Sequence, residues 1–313
     1  MNRGKMPESA LKRSVLKRIK GNVGNAPAGI GFDAGLFELG GKPMLMSTAA
    51  VFGNDEGMGE LCVTRAVNSM AAAGGKASWI SVSLCCPEEA AEDFAKRVMD
   101  EAVRGAEKCN VRIVSGNTLV AEQPMITVTA TGEKVHDLKS PSKETQRILI
   151  MAGYAGNAGA AMLAKKKYEL FAERLTGEFI EKALWGSEET GIGAAAEMLA
   201  ERCGNAVSMH DISEGGVFGA LWELLEREKA GCTVDLKEIP IKQAAIEVCE
   251  ILDVSPYQIR GDGGLLAIVE DTPENRELGK VIGTVDNKAD RVIVNGEERR
   301  FLEPNRYDGY YEF

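Results

Sequence analysis

The sequence has 313 residues, of which 44% are hydrophobic and 27% charged, and its formal net charge is −10. Such a chain is long enough for two ordinary domains, and its balance is that of a folded protein rather than a disordered one. An acidic surface repels nucleic-acid phosphate, so DNA and RNA are not expected as partners.

No stretch has the run of apolar residues that crosses a bilayer, and the first residues lack the apolar core of a signal peptide. The expectation is a cytoplasmic protein without a membrane segment. Seven cysteines (Cys62, Cys85, Cys86, Cys109, Cys203, Cys232 and Cys249) are scattered without metal-site spacing and read as reduced thiols.

Between Pro7 and Gly21, Leu11, Val15, Leu16 and Ile19 share one face of a basic helix. Two roles are open to it: packing on the body of an acidic protein or its partner, or lying on a membrane surface. A glycine-rich stretch, Gly21–Gly31, follows and leads to Phe32 and Asp33. It matches neither a Walker A loop nor a Rossmann fingerprint. The first half then predicts strands at Met44–Val51, Trp79–Leu84, Val111–Val114 and Ile126–Val135. Its helices are expected at Gly59–Ala73 and Pro87–Cys109. A polar connector around Pro141 divides the chain into domains 1–140 and 141–313.

The second half predicts strands at Arg147–Ala152, Val207–Met209, Cys232–Asp235, Gly264–Glu270, Lys280–Val285 and Arg291–Val294. Helices are expected at about 158–166, 169–174, 178–185, 189–202, Val217–Glu228 and Lys242–Leu252. The fold class is therefore α/β (α+β) with two mixed domains.

The segment His210-Asp211-Ile-Ser-Glu214-Gly215-Gly216, running into a helix, closely resembles a block of the aminoimidazole ribonucleotide synthetase (PurM-like) superfamily. Ile239-Pro240, Val248-Cys249-Glu250, Pro256-Tyr257 and the opening Gly4-Lys5-Met-Pro7 are most similar to the branch containing the hydrogenase-maturation protein HypE. Gly31-Phe-Asp33-Ala34, Ser47-Thr48, Asn68-Ser69, Ser115-Gly116-Asn117-Thr118 and Gly261-Asp-Gly263-Gly264 occur in the family's order.

The resemblance implies two PurM-like domains, the first adding its sheet to a partner's in a dimeric barrel. It also implies an ATP site with Mg²⁺ held by aspartates. Carried over residue by residue, the cofactor-binding positions are Gly29, Gly31, Asp33, Asn68, Gly116, Asn117, Thr118, Gly215 and Gly216. The metal positions are Asp33 and Asp211. Mg²⁺ demands hard oxygen ligands, and a triphosphate needs its charge neutralised, which is why that chemistry uses carboxylates.

The sequence departs from this pattern. Phe32, Ala49, Ser69 and Asn117 stand where the family has acids, leaving Asp33 and Asp211. Asp55, Glu56 or Asp262 could supply replacement charge, and otherwise Asp55 and Glu56 belong to a solvated loop. The HypE branch carries a cysteine at its end, whereas Pro304–Phe313 holds none, so cyanide-ligand synthesis is not expected. His210 reads as a structural imidazole rather than a proton-transfer group, and no catalytic residue is assigned.

Two functions remain open. One is a divergent dimeric scaffold or sensor with weakened or lost Mg-ATP chemistry. The other is an ATP-dependent enzyme of the hydrogenase-maturation type that phosphorylates or dehydrates a small amide-like group. A homodimer and a maturation-type protein partner are expected in either case.

Overall fold

The computed structural model describes residues 4–20, 29–184, 190–304 and 307–313. Most of the glycine-rich stretch, 21–28, lies outside the described residues. The chain forms two compact units, Asp33–Asp137 and a second made of Met1–Phe32 with Leu138–Phe313.

The Asp33–Asp137 unit is a five-stranded sheet in the order β1-β2-β5-β3-β4. Its strands are β1 (Gly35–Leu39), β2 (Lys42–Phe52), β3 (Gly75–Cys86), β4 (Arg112–Val120) and β5 (Met125–Lys134). All pairings are antiparallel except β3 with β4. Two helices, α3 (Met58–Ala72) and α4 (Ala91–Lys108), bury one face through Ile80, Val82, Leu84, Ile126, Val128 and Phe94. The alternation of these residues with Ser81, Ser83, Thr127 and Thr129 assigns the two faces, because side chains on a strand point in turn to opposite sides. On the other face, register aligns Met46, Thr131 and Trp79 in one row and Thr48, Thr129 and Ser81 in the next.

The predicted elements are found here with shifted ends: β2, β3 and β4 are longer than expected, and α4 starts at Ala91 rather than Pro87. β1 escaped the sequence reading although Gly40-Gly41, with φ of 60° and 77°, is the two-residue signal of a tight hairpin. Strand β4 does not stop at Val114 but continues to Val120, its register shifting after Ile113 while it stays paired with β3. Such a bulge keeps an edge strand in the sheet after its apolar alternation has been lost.

The second unit carries a seven-stranded sheet in the order β12-β11-β8-β10-β6-β9-β7. These are β6 (Arg147–Ala152), β7 (Ser208–Ile212), β8 (Gly231–Asp235), β9 (Gly264–Glu270), β10 (Lys280–Asp286), β11 (Arg291–Asn295) and β12 (Glu298–Phe301). Strands β6 and β9 are nearly continuous apolar runs and β7 is buried along its whole length, because both faces are covered. One core packs α9 (Gly216–Glu228), through Leu221, Leu224 and Leu225, on Leu149, Leu266 and Ile268. The other gathers α5 (Asn157–Lys166), α6 (Tyr168–Ala172), α7 (Gly177–Leu184) and α10 (Gln243–Leu252), and Tyr310 joins it.

The sequence boundary near 140 grouped residues 1–32 with the first domain, whereas they cluster with the second unit. The reason is a set of polar contacts to α9. Lys5 Nζ lies 2.6 Å from Glu223, Trp222 Nε1 donates to Glu8 at 3.1 Å, and Lys12 lies 3.8 Å from Glu226. The basic helix therefore packs on the body, as α1 (Glu8–Leu11) and α2 (Lys17–Ile19) joined by a π-helical turn, Lys12–Leu16. That turn adds a residue and rotates the apolar face, so Val15 and Ile19 stay exposed while Leu11 and Leu16 are half-buried.

Candidate functional site

In the second unit, β7 delivers His210 and Asp211 to the end of a buried strand, paired in register with Leu266 and Leu265. Both side chains are buried. The chain then turns through Gly215 and Gly216, at φ of 84° and 64°, into α9. A Cβ on Gly216 would sit 2.5 Å from the Tyr257 carbonyl oxygen and 2.6 Å from that of Ile259, so the close approach requires glycine.

Three glycine turns meet at this place. Gly261 N donates to the Ser213 carbonyl at 3.3 Å, and Gly159 N donates to the Arg260 carbonyl at 3.0 Å. A Cβ on Gly153 would overlap the Gly263 carbonyl oxygen at 2.5 Å. The blocks 153–159, 210–216 and 261–264, far apart in sequence, thus form one backbone-lined locus that includes the buried Asp262. At the start of α9 the Gly216 N–H donates to the Ser213 carbonyl and the Phe218 N–H to the Tyr257 carbonyl, each at 3.2 Å, while the Gly215 N–H donates to a carboxylate, the kind of group that a helix N-terminus favours.

His210 Nε2 donates to Glu223 Oε2 at 3.0 Å, and Lys5 shares the same oxygen. Burial alone would raise the Glu223 carboxyl, but Lys5 and His210 hold it at about 2. Burial alone would lower the Lys5 ammonium, and the charge of Glu223 raises it instead. His210 is therefore built into a charge network with Glu223 and Lys5. Arg227 completes the clamp by donating to the carbonyls of Gly31 (2.8 Å) and Met209 (2.7 Å) and to Ser208 Oγ (2.7 Å). Gly31 sits against α9, where a Cβ would lie 2.1 Å from the Glu223 carbonyl oxygen. Gly29 is half-buried nearby in sequence.

The Asp33–Asp137 unit carries several of the positions taken over from the family. Asp33 is half-buried ahead of β1, and Asn68 is buried on α3 next to a half-buried Ser69. Gly116, Asn117 and Thr118 lie on the exposed edge strand β4, with Asn117 beside Ser83. A Cβ on Gly116 would meet the Val82 carbonyl oxygen at 2.3 Å, which explains that glycine by strand packing. Ser47 is likewise structural, its hydroxyl donating to the Ala66 carbonyl at 2.5 Å. Of the possible replacement acids, Glu56 is exposed, and Arg97 donates at 3.3 Å to the Asp55 carbonyl, a cation where a metal would need acids. Ala49, Ser69 and Asn117 bring no charge, so among these positions of the unit Asp33 is the acid that remains.

Sequence reasoning missed Lys5, Glu223, Arg227, Arg260 and Asp308. Their partners lie up to 218 positions away, so no local pattern assigns them a role. Cys249 is buried in the helical core, and burial pushes its thiol up to about 12, so it is no nucleophile at neutral pH.

Comparison with known proteins adds to this geometry. The family model of the AIR synthase related protein N-terminal domain matches residues 31–134, and that of the C-terminal domain matches residues 145–294. Carbamoyl dehydratase HypE of Rhizobium leguminosarum bv. viciae is 25% identical over 251 residues, 76% of this chain and 69% of that protein. Among solved structures, ThiL complexed with AMPPCP and TMP superposes with a TM-score of 0.73 at 19% identity, covering 95% of this chain and 98% of its own. HypE in complex with ATP gives 0.69 at 19% identity, covering 99% and 98%. The HypE–HypF complex gives 0.70 at 17% identity, covering 93% and 99%. No described helix is long and apolar enough to cross a membrane.

Proposed function

Because the chain belongs to the AIR synthase related family, we propose that it is a HypE-like member in which Mg-ATP chemistry is weakened or lost and which acts as a dimeric scaffold or sensor. One observation carries this reading: Phe32, Ala49, Ser69 and Asn117 occupy positions where the resemblance places acids. Each lost carboxylate removes a hard, charged ligand that a divalent cation bridging phosphates requires.

What remains is an anion-binding framework. The glycine turns and the start of α9, both in the second unit, are suited to a phosphate-bearing ligand. The nucleotide-bound neighbours support ATP as the ligand class. A dimer is supported by the sheet face opposite α3 and α4. There Thr48, Thr129 and Ser81 lie in register between larger, partly exposed side chains such as Met46, Phe52 and Trp79. The HypE–HypF complex supports a maturation-type protein as partner.

The alternative, an ATP-dependent enzyme that phosphorylates or dehydrates a small amide-like group, rests on the intact His210-Asp211 turn. Calorimetric titration of ATP with and without Mg²⁺ separates the two. The proposed reading expects weak, Mg²⁺-insensitive binding, and a gain of at least about tenfold in Mg²⁺-dependent affinity when Ser69→Asp and Asn117→Asp are introduced together.

A further inference from the structure

The segment Tyr307–Phe313 brings a carboxylate to the start of α9. Asp308 is fully buried. Its Oδ2 accepts the Gly215 N–H at 3.2 Å, and its Oδ1 accepts the backbone N–H groups of Arg260 at 3.2 Å and Tyr310 at 3.0 Å. An anion therefore already stands at the first turn of this 13-residue helix.

A second observation points to the same spot. The Arg260 side chain is 1% exposed, and its Nε and Nη2 make no hydrogen bond among the described residues. Nε lies 3.6 Å from Asp308 Oδ2, the atom on which Gly215 also converges, and Nη2 lies 3.9 Å from Glu214 Oε1. A buried guanidinium left at loose ion-pair distance is costly, and a closer, larger oxyanion would satisfy it better than one carboxylate does. Tyr310 stacks over the guanidinium at 3.9 Å, and Tyr311 donates its hydroxyl to Glu214 at 2.7 Å. Tyr310, buried in the helical core, anchors the segment while Asp308 fills the polar position.

We propose that Asp308 is an internal competitor: its carboxylate holds the oxyanion position formed by the Gly215 N–H and the Arg260 guanidinium, and a ligand phosphate binds there by displacing it. This inference rests on the reading of the Gly215–Gly216 turn as an anion site, and it deepens that reading by assigning the site a built-in regulator. Displacement needs a swing of the Asp308 side chain away from the Gly215, Arg260 and Tyr310 N–H groups, with Tyr310 remaining in the core.

The test uses inorganic phosphate and the full chain, so that it does not depend on any metal site. Asp308→Asn removes the competing charge at nearly constant size. It is expected to bind phosphate at least about tenfold more tightly than the unaltered chain, and adding Arg260→Gln should abolish that gain. Asp308→Asn that melts as a folded protein yet binds phosphate no better overturns the proposal. Should that variant not fold, hydrogen exchange on the unaltered chain decides: phosphate should speed exchange of the Arg260 and Tyr310 amides, which Asp308 protects, and unchanged exchange up to saturating phosphate overturns it. Tight Mg-ATP binding by the unaltered chain would contradict the proposed function without touching this result.

Discussion

Glu223 is a carboxylate held between a lysine and a histidine, and its acidity records that arrangement. Its folded value of about 2 lies below the ordinary 4.5, so the group stabilises the fold fully above about pH 4.5. That contribution fades as pH falls through the window from 4.5 to 2. The pair with Lys5 is partly solvated, at 31% and 21% side-chain exposure, so its worth is discounted to about 1–2 kcal/mol. Glu223→Gln should therefore cost about that much in urea unfolding at pH 7, and the gap to the unaltered chain should close as pH approaches 2. A gap that is the same at pH 3 as at pH 7 would show that the charge network contributes nothing. His210 and Asp211 were legible in the sequence because their residue types sit together in one short motif. Lys5 and Glu223 were not, since an ion pair between positions 218 apart has no local signature.

At the scale of elements, the long periodic stretches were read with their types correct, because alternation and helical spacing reflect which face is buried. The failures share a cause. β12 (Glu298–Phe301) is an exposed, charged edge strand, and β4 beyond Val114 is exposed along its length, so neither carries a burial pattern to read. The glycine turns were visible as composition, but what each glycine is for depends on a distant backbone. Gly31 is the sharpest instance: φ is 78°, and a Cβ would overlap the Glu223 carbonyl oxygen. Gly31→Ala should destabilise the chain by about 2 kcal/mol or more, from left-handed strain plus displacement of α9. Chemical denaturation measures it, and a stability equal to the unaltered chain would mean that the N-terminal segment does not clamp on α9 as described.

For the whole molecule, the proposed dimer makes a direct demand on the sheet face opposite α3 and α4. Thr129 stands in its middle row, with Thr48 Oγ1 at 3.1 Å. Thr129→Arg places a charge where a second sheet would pack, and light scattering should report a monomer in place of a dimer. An unaltered chain that is monomeric at micromolar concentration removes the barrel from the account. Two-domain organisation was legible because the family's blocks run in order along the chain. The attachment of residues 1–32 to the second unit was not, because it rests on tertiary contacts.

The central claim is that this fold persists while its metal-dependent chemistry has faded, and calorimetric titration of ATP into the unaltered protein tests it most directly. The account predicts weak binding that Mg²⁺ does not strengthen, with Mg²⁺ dependence appearing once Ser69→Asp and Asn117→Asp are in place. Micromolar binding that requires Mg²⁺ in the unaltered chain would contradict it, since Asp33, Asp211 and a further acid would then still assemble a metal site.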